Sequence, residues 1–126
     1  MADDLVNRLD ADATAISRVI GDVLIIVAER TLNGETLQQG QGYLVPDFPQ
    51  TAEVLRTGKP RSLTLDDEDL DPAEAVVLRD YGYAALLMLP LELDGKTWGL
   101  VEVYRREPRA FSDEDIRVAR DLSRVT

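Results

Sequence analysis

The chain has 126 residues, 14 basic and 24 acidic side chains, a formal net charge of −10, and neither Cys nor His. That length makes one domain, residues 1–126 with a core over 10–125, and it buries about two-thirds of its unfolded surface without needing disulfides or metals. The missing residue types exclude thiol nucleophiles, thioether-linked cofactors, Fe–S clusters, Ser-His-Asp triads, imidazole metal sites and proximal-His haem. The acidity argues against nucleic acid and anionic membranes.

The longest apolar run, Ala84 to Leu91, is too short to span a bilayer. Met1 is followed by Ala-Asp-Asp rather than a basic-then-apolar leader, so the expected compartment is the cytoplasm. Residues 1–9 hold a short helix with Leu5, Val6 and Leu9 on one side. Two β-branched runs over residues 13–29 flank Gly21-Asp22, a hairpin signal. Residues 30–47, punctuated by Gly34, Gly40 and Gly42, read as one long loop with little regular structure, of the kind that serves as a lid or binding loop. Gly40-Gln41-Gly42 lacks the third Gly, the Lys and the helix start of a phosphate loop.

Pro49 opens a helix that Gly58 closes, and Arg61 to Leu65 alternates like a strand. In the acidic run 66–71, Asp67, Asp69 and Asp71 have calcium-loop spacing, but Pro72 and Leu78 stand where Gly and Glu are required. The run instead predicts a helix start, with Asp71 as N-cap, Pro72 at N1 and Glu74 as the acidic N3 residue. That helix reaches about Asp80, with Ala75, Val76 and Leu78 available for burial, and ends at Gly82. Tyr83 to Leu91 is apolar on both faces, as in a strand covered on both sides. Asp94-Gly95 turns it into a partner strand, Thr97 to Tyr104. Ser112 and Asp115 cap a final helix whose stripe is Ile116, Ala119, Leu122 and Val125. This order describes an α+β domain with one antiparallel sheet.

Four stretches carry a family resemblance. Thr51-Ala52-Glu53-Val54-Leu55-Arg56-Thr57-Gly58-Lys59-Pro60 resembles the helix-to-strand crossing of GAF domains, and Tyr81 to Leu91 with its Pro-Leu ending resembles their central strand. Asp94 to Tyr104 is similar to the hairpin that follows, and Phe111-Ser112-Asp113-Glu114-Asp115 to the start of the final helix. The resemblance implies a profilin-like sheet whose five strands, counted along the chain, stand in the order 2-1-5-4-3. Terminal helices would cover one face, and connecting segments would make a ligand cavity on the other. It implies a small-molecule-binding, dimerising module of signalling proteins.

The departures narrow it. There is no Cys for a bilin or for sulfoxide reduction, no His for haem, and no Asn-Lys-x-x-Phe-Asp-Glu signature of cyclic-nucleotide binders. Family members begin with a longer helix than Ala2 to Leu9, so the chain reads as a trimmed piece of a larger protein or as a minimal version.

Strand alternation places Trp98, Leu100, Glu102 and Tyr104 on one face, and Gly99, Val101 and Val103 on the other. The first set suits the cavity. Glu102 is read two ways, as a cross-strand ion pair with Arg18 or as a polar anchor in an apolar cavity. Tyr43, Phe48, Leu78, Tyr81, Tyr83, Met88 and Trp98 are the candidate lining, although packing alone also explains such aromatics. Arg61 and Arg79 are candidates for an anionic group or else solvated charges. Arg105, Arg106 and Arg109 form the one basic cluster, too small for a nucleic-acid patch.

No nucleophile–base pair supports catalysis, so no catalytic residue, metal or resident cofactor is expected. The reading is a sensory domain for a non-covalent organic ligand that acts on an attached output domain, and a homodimer in its parent protein. The alternative is a dimerisation scaffold without a ligand. A cavity below about 100 Å³ counts against binding.

Overall fold

Gly21, at φ +58°, supplies the left-handed residue that folds β1 (Ala13–Ile20) back on β2 (Val23–Thr31). The structure, a computed structural model, describes residues 2–32 and 42–123. Around that hairpin come α1 (Ala2–Arg8), β3 (Gly42–Leu44), a 3-10 turn (Val45–Asp47), α2 (Pro49–Thr57) and β4 (Arg61–Thr64). The chain continues through α3 (Pro72–Tyr81), β5 (Ala85–Leu93), β6 (Lys96–Arg105) and α4 (Asp113–Leu122). No helix among the described residues is long and apolar enough to cross a membrane.

All pairings are antiparallel, in one sheet of order β3-β2-β1-β6-β5-β4. The expected long loop over 30–47 is corrected at both ends. The second strand runs on to Thr31, and Gly42–Leu44 adds a sixth, outer strand against Val23–Ile25. Residues 33–41, which include Gly34 and Gly40, lie outside the described residues, and so does the lid reading.

Local signals set the ends of the helices. Gly58 and Gly82 stop α2 and α3 in the left-handed region, at φ +72° and +77°. Asp94 and Gly95, both at positive φ, make the β5–β6 turn. Ser112 and Asp115 cap α4 reciprocally, with N–H···O distances of 3.1 and 2.9 Å.

Period-two alternation gives the sheet two apolar faces. On one face Leu87, Leu89, Leu91, Val101 and Val103 pack against Leu5 and Leu9 of α1, Phe111, and Ala119 of α4. Ile116 and Leu122 pack at its margin, whereas Val125 lies outside the described residues. On the other face Ala13, Ala15, Leu24, Ile26, Leu63, Leu86, Met88 and Leu100 pack against Val54 of α2 and Leu78 of α3. β5 is therefore buried on both sides, as its continuous apolar run requires. Val76, expected to be buried, is 55% exposed, and Glu74 takes the inward place at 4%.

The expected alternation fails at Trp98. Leu91 pairs with Gly99 and Glu92 with Thr97, which leaves Trp98 as the extra residue of a bulge. Its ring packs against the terminal-helix cluster, under the Arg18 guanidinium at 5.6 Å. Gly99 is held to glycine by crowding, since a Cβ there would sit 2.1 Å from the Ser17 carbonyl oxygen.

Arg105 is not part of an exposed basic patch. It ends β6 on the Val101–Val103 face and is 2% exposed. Its guanidinium donates to the carbonyls of Leu9 (2.6 Å), Asp10 (3.3 Å), Arg109 (3.1 Å) and Ala110 (3.1 Å), and to the Asp115 carboxylate (3.3 Å). It also lies over the Phe111 ring at 3.9 Å.

Removing that buried charge strands Asp115 and four carbonyls, so Arg105→Met is expected to cost about 3–5 kcal/mol of unfolding free energy. Arg109→Met breaks only exposed pairs, with Asp10 and Glu107, and should cost less than about 1 kcal/mol. Gly99→Ala should cost about 2 kcal/mol or more through overpacking against backbone. Urea denaturation midpoints at unchanged slope check all three.

Candidate functional site

The face of the sheet opposite the terminal helices carries a small cavity roofed by α2 and α3. Ser17 of β1, Leu24 and Ile26 of β2, and Glu102 and Tyr104 of β6 form its floor. Tyr43 and Phe48 close one side. Thr51 of α2, and Glu74, Val77 and Tyr81 of α3, close the other. The α3 residues are spaced i, i+3, i+7, which puts them on one helix face. Gln50 fixes the roof by donating to the Asp69 carbonyl (2.8 Å) and accepting from the Asp71 N–H (2.7 Å).

Two carboxylates meet there without a cation. Thr51 donates its hydroxyl to Glu74 Oε1, and Met88 Sδ lies 3.3 Å from the same hydroxyl. Tyr104 donates to Glu102 Oε2 at 2.7 Å. Tyr43 and Tyr81 share a hydroxyl–hydroxyl bond of 2.7 Å, and Phe48 meets Tyr43 edge-on at 5.8 Å. Burial drives up the Glu102 carboxyl, helped by the Glu74 charge and opposed by the Tyr104 hydrogen bond, to about 7. Burial also raises Glu74, with the Thr51 bond opposing and the Asp71 charge adding. Burial raises the Tyr43 and Tyr104 phenols as well, reinforced by Tyr81 and Glu102 respectively. The cavity is open on one side, and its volume is about 30 Å³, room for a water or two.

Of the expected lining, Tyr43, Phe48, Tyr81 and Glu102 stand around the cavity. Leu78, Tyr83 and Met88 lie beneath it in the packed cluster, with Tyr83 stacked on Tyr104 at 5.1 Å. Arg61 points away to Asp69 and Glu53 on the surface, and Arg79 is exposed. Trp98 is on the opposite face. The expected ion pair between Glu102 and Arg18 is absent, because Arg18 turns to Trp98 and Glu102 to Tyr104.

Ser17, Leu24, Ile26, Thr51, Glu74 and Val77 were not among the expected lining, whereas Tyr104 stands on the cavity face that strand alternation assigned to it. The helical phase of Glu74 with Leu78 and Tyr81 carried a signal for it, but the Asp-Pro-x-Glu pattern read as a cap. Asp71 does cap α3, accepting the Ala73 N–H at 2.9 Å. Asp67 accepts the Thr64 N–H and Asp69 pairs with Arg61, so the acidic run is used locally. No group of metal-ligating side chains occurs among the described residues.

Stability should record the buried acid. Between the usual Glu value of 4.5 and about 7, Glu102 ionises in the unfolded chain but not in the folded one. Stability therefore falls as pH rises through that window and levels off above it. Glu102→Gln should remove the cost, stabilising the protein at pH 8 by about 1–3 kcal/mol and changing little at pH 4. Urea denaturation across pH 4–8 checks this.

The family model for the GAF domain matches residues 1–125. No curated protein matches the chain by sequence. Among solved structures, the chain is similar to the blue-light absorbing form of the Thermosynechococcus elongatus PixJ GAF-domain. The two share 22% identity over 98% of this chain and 76% of that one, with a TM-score of 0.83. It is similar to the phycocyanobilin-bound GAF domain from a cyanobacterial phytochrome, at 19% identity, 95% and 74% coverage, and a TM-score of 0.79. For the chromophore binding domain of Stigmatella aurantiaca phytochrome the values are 18%, 96% and 48%, and 0.75, so this chain spans about half of that one. At such identities the likeness is one of fold.

Proposed function

The chain belongs to the GAF domain family, and from that premise we propose a non-catalytic sensory domain that binds a small organic molecule and signals to an attached output domain. The observation that carries the reading is a cavity with an apolar and aromatic wall that retains the buried Glu74 carboxylate and the part-buried Glu102 carboxylate, with no basic side chain among its described lining residues. Burying such groups is costly, and strongly perturbed acids in a cleft are what a binding site needs.

A bilin does not fit this reading. The chain has no Cys to link one, and the cavity volume of about 30 Å³ does not admit a tetrapyrrole. That volume also falls below the 100 Å³ mark, and it is the one observation favouring the second reading, a dimerisation scaffold without a ligand.

A route to the output exists on one strand. Glu102 and Tyr104 of β6 face the cavity, and the next residue, Arg105, grips the segments that lead from α1 and into α4. In this reading occupancy shifts the balance between two settings of the terminal helices through differential affinity. Those helices are also the side on which the parent protein would dimerise.

Thermal-shift screening against nucleotides, amino acids, amines, alcohols and organic acids tests the proposal. A ligand at a hundred times its Kd should add about 2.7 kcal/mol of stability. No shift across the whole collection would overturn ligand sensing in favour of the scaffold.

A further inference from the structure

We propose that the cavity recognises a small organic cation, a short primary alkylammonium whose nitrogen sits between Glu74 and Glu102. This rests on the small-molecule reading above and names its ligand class.

Three features converge. First, each carboxylate is only half used. Glu74 is 4% exposed and lines the cavity, with Oε1 taken by Thr51 and no hydrogen bond to its second oxygen among the described residues. Glu102 accepts from Tyr104 at Oε2, and its other oxygen likewise has no hydrogen bond among the described residues. Ser17, 1% exposed, adds a hydroxyl at the floor. Two such carboxylate oxygens and a hydroxyl match the three N–H donors of a primary ammonium.

Second, the charge balance is one-sided. Among the described residues no Lys or Arg lines the cavity, and Arg61 is engaged with Asp69. An anion or a nucleotide phosphate would add charge of the same sign, whereas a cation neutralises the pair. Five carboxylates in residues 66–71, beside the start of α3, attract cations to this side of the molecule.

Third, size and wall select the ligand. About 30 Å³ accommodates an ammonium head and a carbon or two. Tyr43, Phe48 and Tyr81 supply ring surface, and Leu24, Ile26 and Val77 supply aliphatic surface, for a cation carrying an alkyl group.

The test is an NMR titration of the 126-residue chain at constant ionic strength with ethylammonium chloride, ethanol, sodium acetate and potassium chloride. Expected is saturable binding of ethylammonium alone, with shifts at Ser17, Tyr43, Glu74 and Glu102. Glu102→Gln should weaken it at least tenfold and Asp66→Asn, an exposed acid, should not. Lowering pH from 8 to 6 should weaken it too, since the titratable groups that share the cavity with Glu102 are Glu74, Tyr43, Tyr81 and Tyr104, with no base among the described lining residues to hold it ionised. Glu74→Gln should act like Glu102→Gln, and Thr51→Val serves if that variant does not fold.

Equal or tighter binding of ethanol or acetate overturns the cationic class and leaves the small-molecule reading standing. So does binding of another compound from the wider screen while ethylammonium stays silent. Equal binding of potassium, or insensitivity to Glu102→Gln, reduces the effect to general charge attraction and overturns the site. Silence of every compound in both experiments overturns this inference and the sensory reading together.

Discussion

The Arg105 guanidinium is the interaction on which the arrangement of this chain depends. It sits where three segments converge: the end of α1, the end of β6 and the approach to α4. The first and the last have backbone carbonyls that the Arg105 guanidinium takes up. Arg105 takes the carbonyls of Leu9 and Asp10 from the first segment and those of Arg109 and Ala110 from the last. A planar fork of five N–H groups does this in one fixed geometry, which an ammonium on a flexible stem does not. Asp115 supplies the countercharge while also closing the cap of α4. Burial pushes its carboxyl up, but the bonds with Ser112 and Arg105 outweigh that and hold it below the usual range. The same carboxylate therefore serves helix capping and charge pairing. That links the position of α4 to the end of a central strand.

What was legible in the sequence follows from the range of the signal. Gly21, Gly58, Gly82 and the Asp94-Gly95 pair act within a turn, so hairpins and helix ends could be read directly. The continuous apolar run before Leu91 could be read as a two-sided strand because burial on both faces leaves no polar position. β3 gave no such signal, since three residues pairing at a sheet edge have no period to detect. Its existence depends on β2 offering free backbone groups far away in sequence. Trp98 failed for a related reason. A bulge is a mismatch between two strands, and alternation along one of them says nothing about it.

The candidate site was half legible for the same reasons. Tyr43, Phe48 and Tyr81 are large and scarce, so they stood out. Glu102 was marked by the alternation of β6. Glu74 was hidden by a second pattern that explained it too well. Asp71-Pro72-Ala73-Glu74 satisfies the rules for a helix start, and only the phase relative to Leu78 and Tyr81 turns Glu74 inward. Arg105 shows the converse. Alternation carried one residue past the expected strand end at Tyr104 puts it with Val101 and Val103, but it was read as part of a basic cluster because a run of arginines after a strand ordinarily belongs to solvent. In both cases a charged side chain stands where an apolar one would pack more cheaply.

Those two exceptions sit on opposite sides of the sheet, and β6 joins them. From Glu102 to Arg105 is three residues, about 10 Å of strand. Glu102 and Tyr104 face an under-neutralised cavity, and Arg105 faces a saturated network. The asymmetry matters for signalling. A network with every donor used has one favoured geometry and resists small displacements. A cavity with unmatched carboxylates has more than one state available, set by protonation or by a bound cation. In the proposed sensory reading, change originates on the acidic side and is transmitted as movement of β6 rather than as loss of contacts at Arg105. Because Arg105 holds the ends of α1 and α4 by backbone carbonyls, such movement carries both helices together. Under that reading, a terminal-helix pair that moves as a unit is the form of output the proposed output domain would read.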